Sequence, residues 1–219
     1  RIGFNVEINA LWYNAVMFSL VMAKKLGDNE FIEDWKNIPE KTKKSFIEMF
    51  WSEDRKYLAD YVDEKADWSV RPNQIFAASM PFSMLTDDMK MNVVRRVRKE
   101  LLTTRGLRSL APKNPQYKGE YNGDQQKRDK AYHQGTVWPW LFGHFAEAYL
   151  DIYRESGVEF IKKYYIGFEE EIHNYGLGSI SEVYDGDPPH VAGGTISQAW
   201  SVSELLRVGV MLEKYEKKN

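Results

Sequence analysis

Nearly uncharged stretches alternate with charged, amphipathic ones along this chain, and that order constrains the fold more than any other feature. Helical spacing predicts apolar helices over 7–26, 72–85, 136–154 and 195–215, with amphipathic helices over 40–51, 87–102 and 158–175 between them. In the first, Ile8, Leu11, Trp12, Ala15, Val16, Ser19, Met22 and Ala23 form one stripe. Tyr13, Met17 and Leu20 make the opposite side apolar too, so this helix is expected to be buried on most sides and to stop at Gly27. The 40–51 helix instead sets Phe46, Ile47, Phe50 and Trp51 against Lys41, Lys43, Lys44 and Glu48, as a surface helix does. Pro81 should kink the second apolar helix. Buried and surface helices in strict turn are what a layered α/α array produces, with inner helices covered by outer ones.

The connections obey the same order. The long ones, 52–70, 103–132 and 176–194, lead from a surface helix into a buried one, while those around Thr86 and Ser156 are short. With antiparallel layers, every long loop opens at the N-termini of the inner helices. Unusual polar residues collect there: Glu7 and Asn9, then Arg71, Asn73 and Gln74, then His133 and Gln134, then Gln198. Trp12, Trp138 and Trp200 lie nearby. Each has a plain structural reading, as a cap or a core ring. Taken together they suit a sugar, whose C–H faces pack on aromatic rings and whose hydroxyls need planar polar partners.

The most concentrated chemistry lies in Ser179-Ile180-Ser181-Glu182-Val183-Tyr184-Asp185-Gly186-Asp187-Pro188-Pro189-His190, bracketed by Gly176, Gly178, Gly193 and Gly194. Glycine and proline at this density end a helix and shape a loop. Loops that hold acids, an aromatic ring and a histidine between helices commonly carry function. The alternative is a solvated acidic turn capping the next helix.

Composition excludes several classes. The 219 residues, 43% hydrophobic, can bury one core, so a single domain over 1–219 is expected. A net charge of -2 offers no footprint for nucleic acid or an anionic membrane, and the basic run over 90–99 is diluted by Asp87, Asp88 and Glu100. The chain has no cysteine, which excludes disulfides and thiolate metal sites and fits a reducing, cytoplasmic setting. Its four histidines show no HExxH spacing, so neither a metal nor another cofactor is expected. The apolar run from Ile8 to Met22 is flanked by Glu7 and broken by Asn9 and Asn14, which argues against a signal peptide or a membrane span.

Five segments together carry a family resemblance: Val6-Glu7-Ile8-Asn9-Ala10-Leu11-Trp12-Tyr13-Asn14, Arg71-Pro72-Asn73-Gln74, Gly106-Leu107-Arg108-Ser109-Leu110, Tyr132-His133-Gln134-Gly135-Thr136-Val137-Trp138-Pro139-Trp140, and Ser181 through His190. In this order they resemble the amylo-α-1,6-glucosidase domain of microbial glycogen debranching enzymes, over essentially the whole chain. The resemblance implies an all-α, six-hairpin α/α toroid that hydrolyses α-1,6-linked glucosyl branches of glycogen or limit dextrin with inversion. Glu182 matches the position of the general base. Glu7, Asn9, Trp12, Arg71, Asn73, Gln74, His133, Gln134 and Trp138 match subsite positions, without individual roles. Asp185 and Asp187 share the loop as rivals for the base, or shape the turn or grip hydroxyls; Tyr184, next to Asp185, is a further binding candidate.

One departure bears on the mechanism. The family's general acid lies on a Gly-Arg-Asp stretch, and no such tripeptide occurs in this chain. Arg128-Asp129 echoes it but belongs with the segment leading to His133-Gln134. The expectation is therefore the C-terminal portion of a larger toroid, partnered by the upstream part of the same polypeptide and inactive alone. A non-catalytic carbohydrate-binding α/α scaffold is the alternative. A terpenoid cyclase of α/α architecture would need an aspartate-rich motif, for which Asp87-Asp88-Met89 is a poor candidate.

Overall fold

The computed structural model describes residues 1–217 and divides into two units, Arg1–Trp68 with Asn73–Val93, and Ser69–Pro72 with the chain from Val94 onward. In the first, β1 (Phe4–Asn5) leads into α1 (Val6–Leu26), followed by α2 (Asn29–Trp35) and α3 (Ile38–Phe50). Strands β2 (Trp51–Ser52), β3 (Tyr57–Leu58), β4 (Tyr61–Val62) and β5 (Ala66–Asp67) come next, then α4 (Ile75–Ser79) and the start of α5 (Asp87–Glu100). Helix α1 ends where glycine allows it: Gly27 takes φ 73 and returns its N–H to the Ala23 carbonyl. Asp28 then caps α2 by accepting the Phe31 N–H at 3.0 Å. That helix is missed by periodicity because it is only seven residues long.

The core of this unit is built from Val6, Ala10, Tyr13, Val16, Phe46, Phe50, Leu58, Ile75, Phe76 and Met84. Helix α1 packs on α2, α3 and α4. It is not buried on most sides as its composition suggested. Ile8, Leu11, Trp12, Phe18, Val21 and Met22 stay exposed, because its packing partners gather on the Val6–Ala10–Tyr13–Val16 stripe. By length and hydropathy alone α1 could span a bilayer. The kink expected at Pro81 is instead a helix end. Met80 turns extended at φ -68 and ψ 144, as a residue before proline prefers, and α4 stops at Ser79.

The second unit takes up α5 and continues with β6 (Leu102–Thr103), β7 (Gly106–Arg108), α6 (Gln125–Ala131), β8 (Val137–Trp138) and α7 (Leu141–Tyr153). Helices α8 (Val158–Ile166) and α9 (Glu169–Asn174) follow, then β9 (Val183–Tyr184), β10 (Ala192–Gly193) and α10 (Ala199–Glu216). Helix α7 packs on α8 and α10. Its aromatic face continues outward, with Tyr149 stacked on Phe160 at 4.6 Å and Phe142 at 6.1 Å from Phe168. The helices expected over 136–154 and 158–175 both begin or break differently. Pro139 delays α7 to Leu141, and Gly167 separates α8 from α9.

The short strands form an antiparallel sheet in the order β10-β9-β8-β7-β6. Leu107 pairs with Trp138, Val137 with Tyr184, and Tyr184 with Ala192. This sheet matters out of proportion to its size. It fixes Trp138 on one strand and Val183–Tyr184, directly after Glu182, on the next.

Candidate active site

Glu182 immediately precedes β9, where Ser181, Val183 and Tyr184 are all buried. Its own side chain remains half-buried, so the strand anchors a carboxylate that reaches the surface. The Glu182 N–H donates to the Thr195 carbonyl at 2.9 Å. In return the Thr195 N–H and hydroxyl both donate to Glu182 Oε2, each at 2.9 Å. The Tyr132 hydroxyl donates to Oε1. Burial pushes this carboxyl up, but the bonds from Tyr132, from Thr195 twice and from Gln198 outweigh it and hold the group below the ordinary glutamate value. The result is an ionised, oriented carboxylate.

Gly194 is required for that approach. It sits at φ +68, and a Cβ there would lie 2.5 Å from Glu182 Oε2. Gln198 then begins α10, tied by its N–H to the Ile180 carbonyl at 3.0 Å.

Aromatic rings surround Tyr132. Trp138 meets it edge to face at 4.7 Å and donates its Nε1–H to the Tyr132 carbonyl at 3.1 Å. Tyr121 lies 5.6 Å away, and His133 stacks on Trp138 at 5.6 Å. Trp200 completes the cluster, stacked on Trp140 at 5.5 Å. Burial first, and then Arg71, lower the His133 pKa, so its ring stays neutral at neutral pH.

The two aspartates of the loop are otherwise engaged. Asp185 Oδ1 accepts the Tyr121 N–H at 2.6 Å, and Asp187 Oδ1 accepts the Tyr117 hydroxyl at 2.8 Å. The Asp187 N–H also donates to the Gly119 carbonyl at 3.0 Å. Burial and the bond to Asp187 raise the Tyr117 pKa to about 12, so it remains a donor. Both carboxylates thus staple the 114–123 segment onto the acidic loop. Burial comes first in raising the Asp185 pKa, the reverse of the shift at Glu182.

Arg71 and Gln134 bind one another at 2.7 Å, while Arg71 also donates to the carbonyls of His133 at 2.5 Å and Ser109 at 3.0 Å. They brace the turn that presents His133. Gln134 and His133 also line an open hollow of about 480 Å³ with Gln116, Lys118, Asp129 and Lys130. Tyr184 is 1% exposed and packs inside, with burial and then Glu171 raising its pKa. Its place is beneath the loop.

The remaining candidates form a separate network in the first unit. Glu7 pairs with Arg1 through two bonds, at 2.6 and 2.7 Å. The same guanidinium reaches Asp60 Oδ2 from Nε at 2.7 Å and the Asp60 carbonyl from Nη2 at 2.8 Å. Asn73 donates to Asp60 Oδ1 at 2.8 Å. Asn9 donates to the Asn5 carbonyl, and Gln74 is buried, accepting the Leu58 N–H at 3.4 Å. Trp12 keeps an exposed ring. Sequence reasoning missed Asp60, which is 2% exposed, because nothing in its neighbourhood distinguishes a buried acid from a turn residue. It also passed over Thr195, whose only local mark is the preceding Gly193-Gly194. Among the described residues, no cluster of His, Cys, Asp and Glu is arranged to hold a metal ion.

The family described as amylo-alpha-1,6-glucosidase matches residues 1–207. The glycogen debranching enzyme of Saccharomyces cerevisiae is 28% identical over 89 residues, which is 38% of this chain and 6% of that protein. Two solved structures share the fold. Neutral trehalase Nth1 from Saccharomyces cerevisiae superposes with a TM-score of 0.64 at 16% identity, covering 96% of this chain and 38% of the trehalase. The GH63 mannosylglycerate hydrolase from Thermus thermophilus does so at 0.65 and 16%, covering 94% of this chain and 46% of the hydrolase. The chain thus spans less than half the length of the relatives it matches. Its helical architecture is that of the α/α-toroid glycosidases.

Proposed function

Since the chain belongs to the amylo-alpha-1,6-glucosidase family, we propose that it supplies the base-bearing part of a glycosidase that hydrolyses α-1,6 branch points of an α-glucan such as glycogen or limit dextrin. The carrying observation is the Glu182 carboxylate, ionised by the Tyr132, Thr195 and Gln198 bonds and still open to the surface. In an inverting mechanism one carboxylate takes a proton from water while a carboxylic acid about 6.5–9.5 Å away protonates the glycosidic oxygen. Glu182 suits the first role. The water oxygen attacks the anomeric carbon, its proton passes to Glu182, and the C–O bond to the leaving sugar breaks as the acid protonates that oxygen.

The acid is assigned to the upstream part of the same polypeptide, because this chain lacks the Gly-Arg-Asp stretch. Trp200 offers an exposed ring to a sugar face, while Arg71, Gln134 and His133 of the same unit frame polar contacts; in the first unit Trp12 also keeps an exposed ring. A cytoplasmic setting fits an α-glucan substrate and a chain without cysteine. The test is glucose release from limit dextrin by the full-length polypeptide and its Glu182→Gln variant. Turnover in the parent and its collapse in the variant support the reading. Glucan retention with no turnover in the parent would favour a binding scaffold.

A further inference from the structure

The groups that hold Glu182 come from two distant parts of the chain. Tyr132 lies 50 residues before it and Thr195 lies 13 after it. Tyr132 directly follows α6, and its backbone is clamped by the Trp138 Nε1–H at 3.1 Å. Its ring is fixed between Trp138 at 4.7 Å and Tyr121 at 5.6 Å. The phenol therefore reaches Oε1 from a preset position. A carboxylate has about four acceptor directions. Thr195 fills two on Oε2 and Tyr132 one on Oε1, and Gln198 faces the same carboxylate, so its orientation is fixed from both oxygens.

We infer that Tyr132 is a positioning residue for hydrolysis, holding the Glu182 carboxylate in the orientation from which it takes the proton of the attacking water. The inference rests on Glu182 being the general base. The groups facing this carboxylate are Tyr132, Thr195 and Gln198, with the Tyr121 phenol behind Tyr132. Burial first, then the bond to Glu182 and its charge, raise the Tyr132 pKa, so the phenol keeps its proton throughout the neutral range.

Two opposed effects follow from removing that hydroxyl. The base becomes stronger, and with a Brønsted slope below one this returns less than about tenfold in rate for each pH unit gained. The carboxylate also loses its orientation, and misplacement near the reacting atoms costs up to about 10²-fold. Orientation should win.

The experiment is steady-state kinetics on limit dextrin with full-length Tyr132→Phe, Thr195→Val and Glu182→Gln. Tyr132→Phe keeps the ring and its packing, and is expected to lower kcat roughly 10- to 100-fold with KM unchanged. The acid limb of kcat/KM should move to higher pH, because a donor that favoured the charged carboxylate is gone. Thr195→Val, which keeps its backbone N–H, should move the limb the same way by less. A merely structural tyrosine would not move that limb. If Tyr132→Phe keeps parental kcat and acid limb beside an inactive Glu182→Gln, positioning is overturned and the base assignment stands. If Glu182→Gln turns over like the parent, the base assignment fails and the positioning role falls with it.

Discussion

The rings of Trp138 and Trp200 meet edge to face at 6.0 Å, yet Trp138 is 5% exposed and Trp200 is 45% exposed. The inner ring is packed on Tyr132 and His133, whereas the outer one retains surface for a sugar face. Trp200→Ala in the full-length polypeptide should therefore weaken oligosaccharide binding roughly tenfold, a change of ~1.4 kcal/mol, with little effect on folding. Trp138→Ala should instead cost ~3–5 kcal/mol of stability. Calorimetric binding of a maltooligosaccharide and urea midpoints of both variants check this. Equal binding by parent and Trp200→Ala would rule out the platform.

Gly194 offers a test of the carboxylate's environment that leaves the carboxylate in place. Alanine there faces both a φ of +68 and a Cβ 2.5 Å from Glu182 Oε2. The strain of a non-glycine residue in this region is ~1 kcal/mol, which the fold should survive. The carboxylate must move. Gly194→Ala is expected to retain its cooperative unfolding transition and lose at least about tenfold in kcat. Parental turnover in a folded variant would show that Glu182 tolerates displacement.

How much of this was legible beforehand depended on the range of the interaction. The stop at Gly27 and the Gly-bracketed acidic loop are local, and they were readable from residue type. The alternation of apolar and amphipathic segments pointed to the helical layers, and the joint motifs to the family. Two-residue strands such as β8 and β9 have no period to detect, so the sheet was invisible. The same holds for Tyr132 with Glu182 and for Arg1 with Asp60, where the partners lie far apart in sequence. The aspartates were ambiguous because spacing does not show which acid meets a backbone N–H. The bond from Tyr121 to Asp185 comes from a segment 64 residues away.

His144 supplies a pH test of the second unit. Burial first, and then Arg207, push its pKa down to about 4, against the pull of Glu204. The unfolded chain takes up this proton near the ordinary value of 6.5, so the histidine favours the fold fully above that value. That contribution is lost as pH falls from there towards 4. Parent stability should drop between pH 7 and 5 by on the order of 1–2 kcal/mol more than that of His144→Gln. Urea unfolding at the two values decides it. Parallel losses would place the sensitivity elsewhere.

The exposed stripe of α1 and the missing Gly-Arg-Asp acid lead to an expectation for the isolated chain. Ile8, Leu11, Phe18, Val21 and Met22 present an apolar face of the kind that drives association. Purified residues 1–219 should release no glucose from limit dextrin and should self-associate as concentration rises. Light scattering and a glucose assay read both. Robust glucose release would show that an acid within this chain suffices.

The sharpest test separates the three carboxylates of the acidic loop. Glu182 is held ionised by side-chain and backbone donors and stays half-buried, whereas Asp185 and Asp187 staple the 114–123 segment through Tyr121, Tyr117 and Gly119. Losing a general base costs ~10²–10⁴ in rate, so Glu182→Gln in the full-length polypeptide should lower kcat by that order and preserve glucan binding. Asp185→Asn and Asp187→Asn should act through the loop, lowering stability by about 1–2 kcal/mol with smaller losses of kcat. A small anion can do part of the missing work. Azide should restore turnover in Glu182→Ala by attacking the anomeric carbon from the face that water uses, giving a glycosyl azide of inverted configuration. Azide should restore nothing in the aspartate variants, where the base is still present. Measuring kcat for all three variants on limit dextrin, with and without azide, reads the assignment directly. Near-parental turnover in Glu182→Gln beside an inactive, folded and azide-rescued aspartate variant would transfer the base to that aspartate.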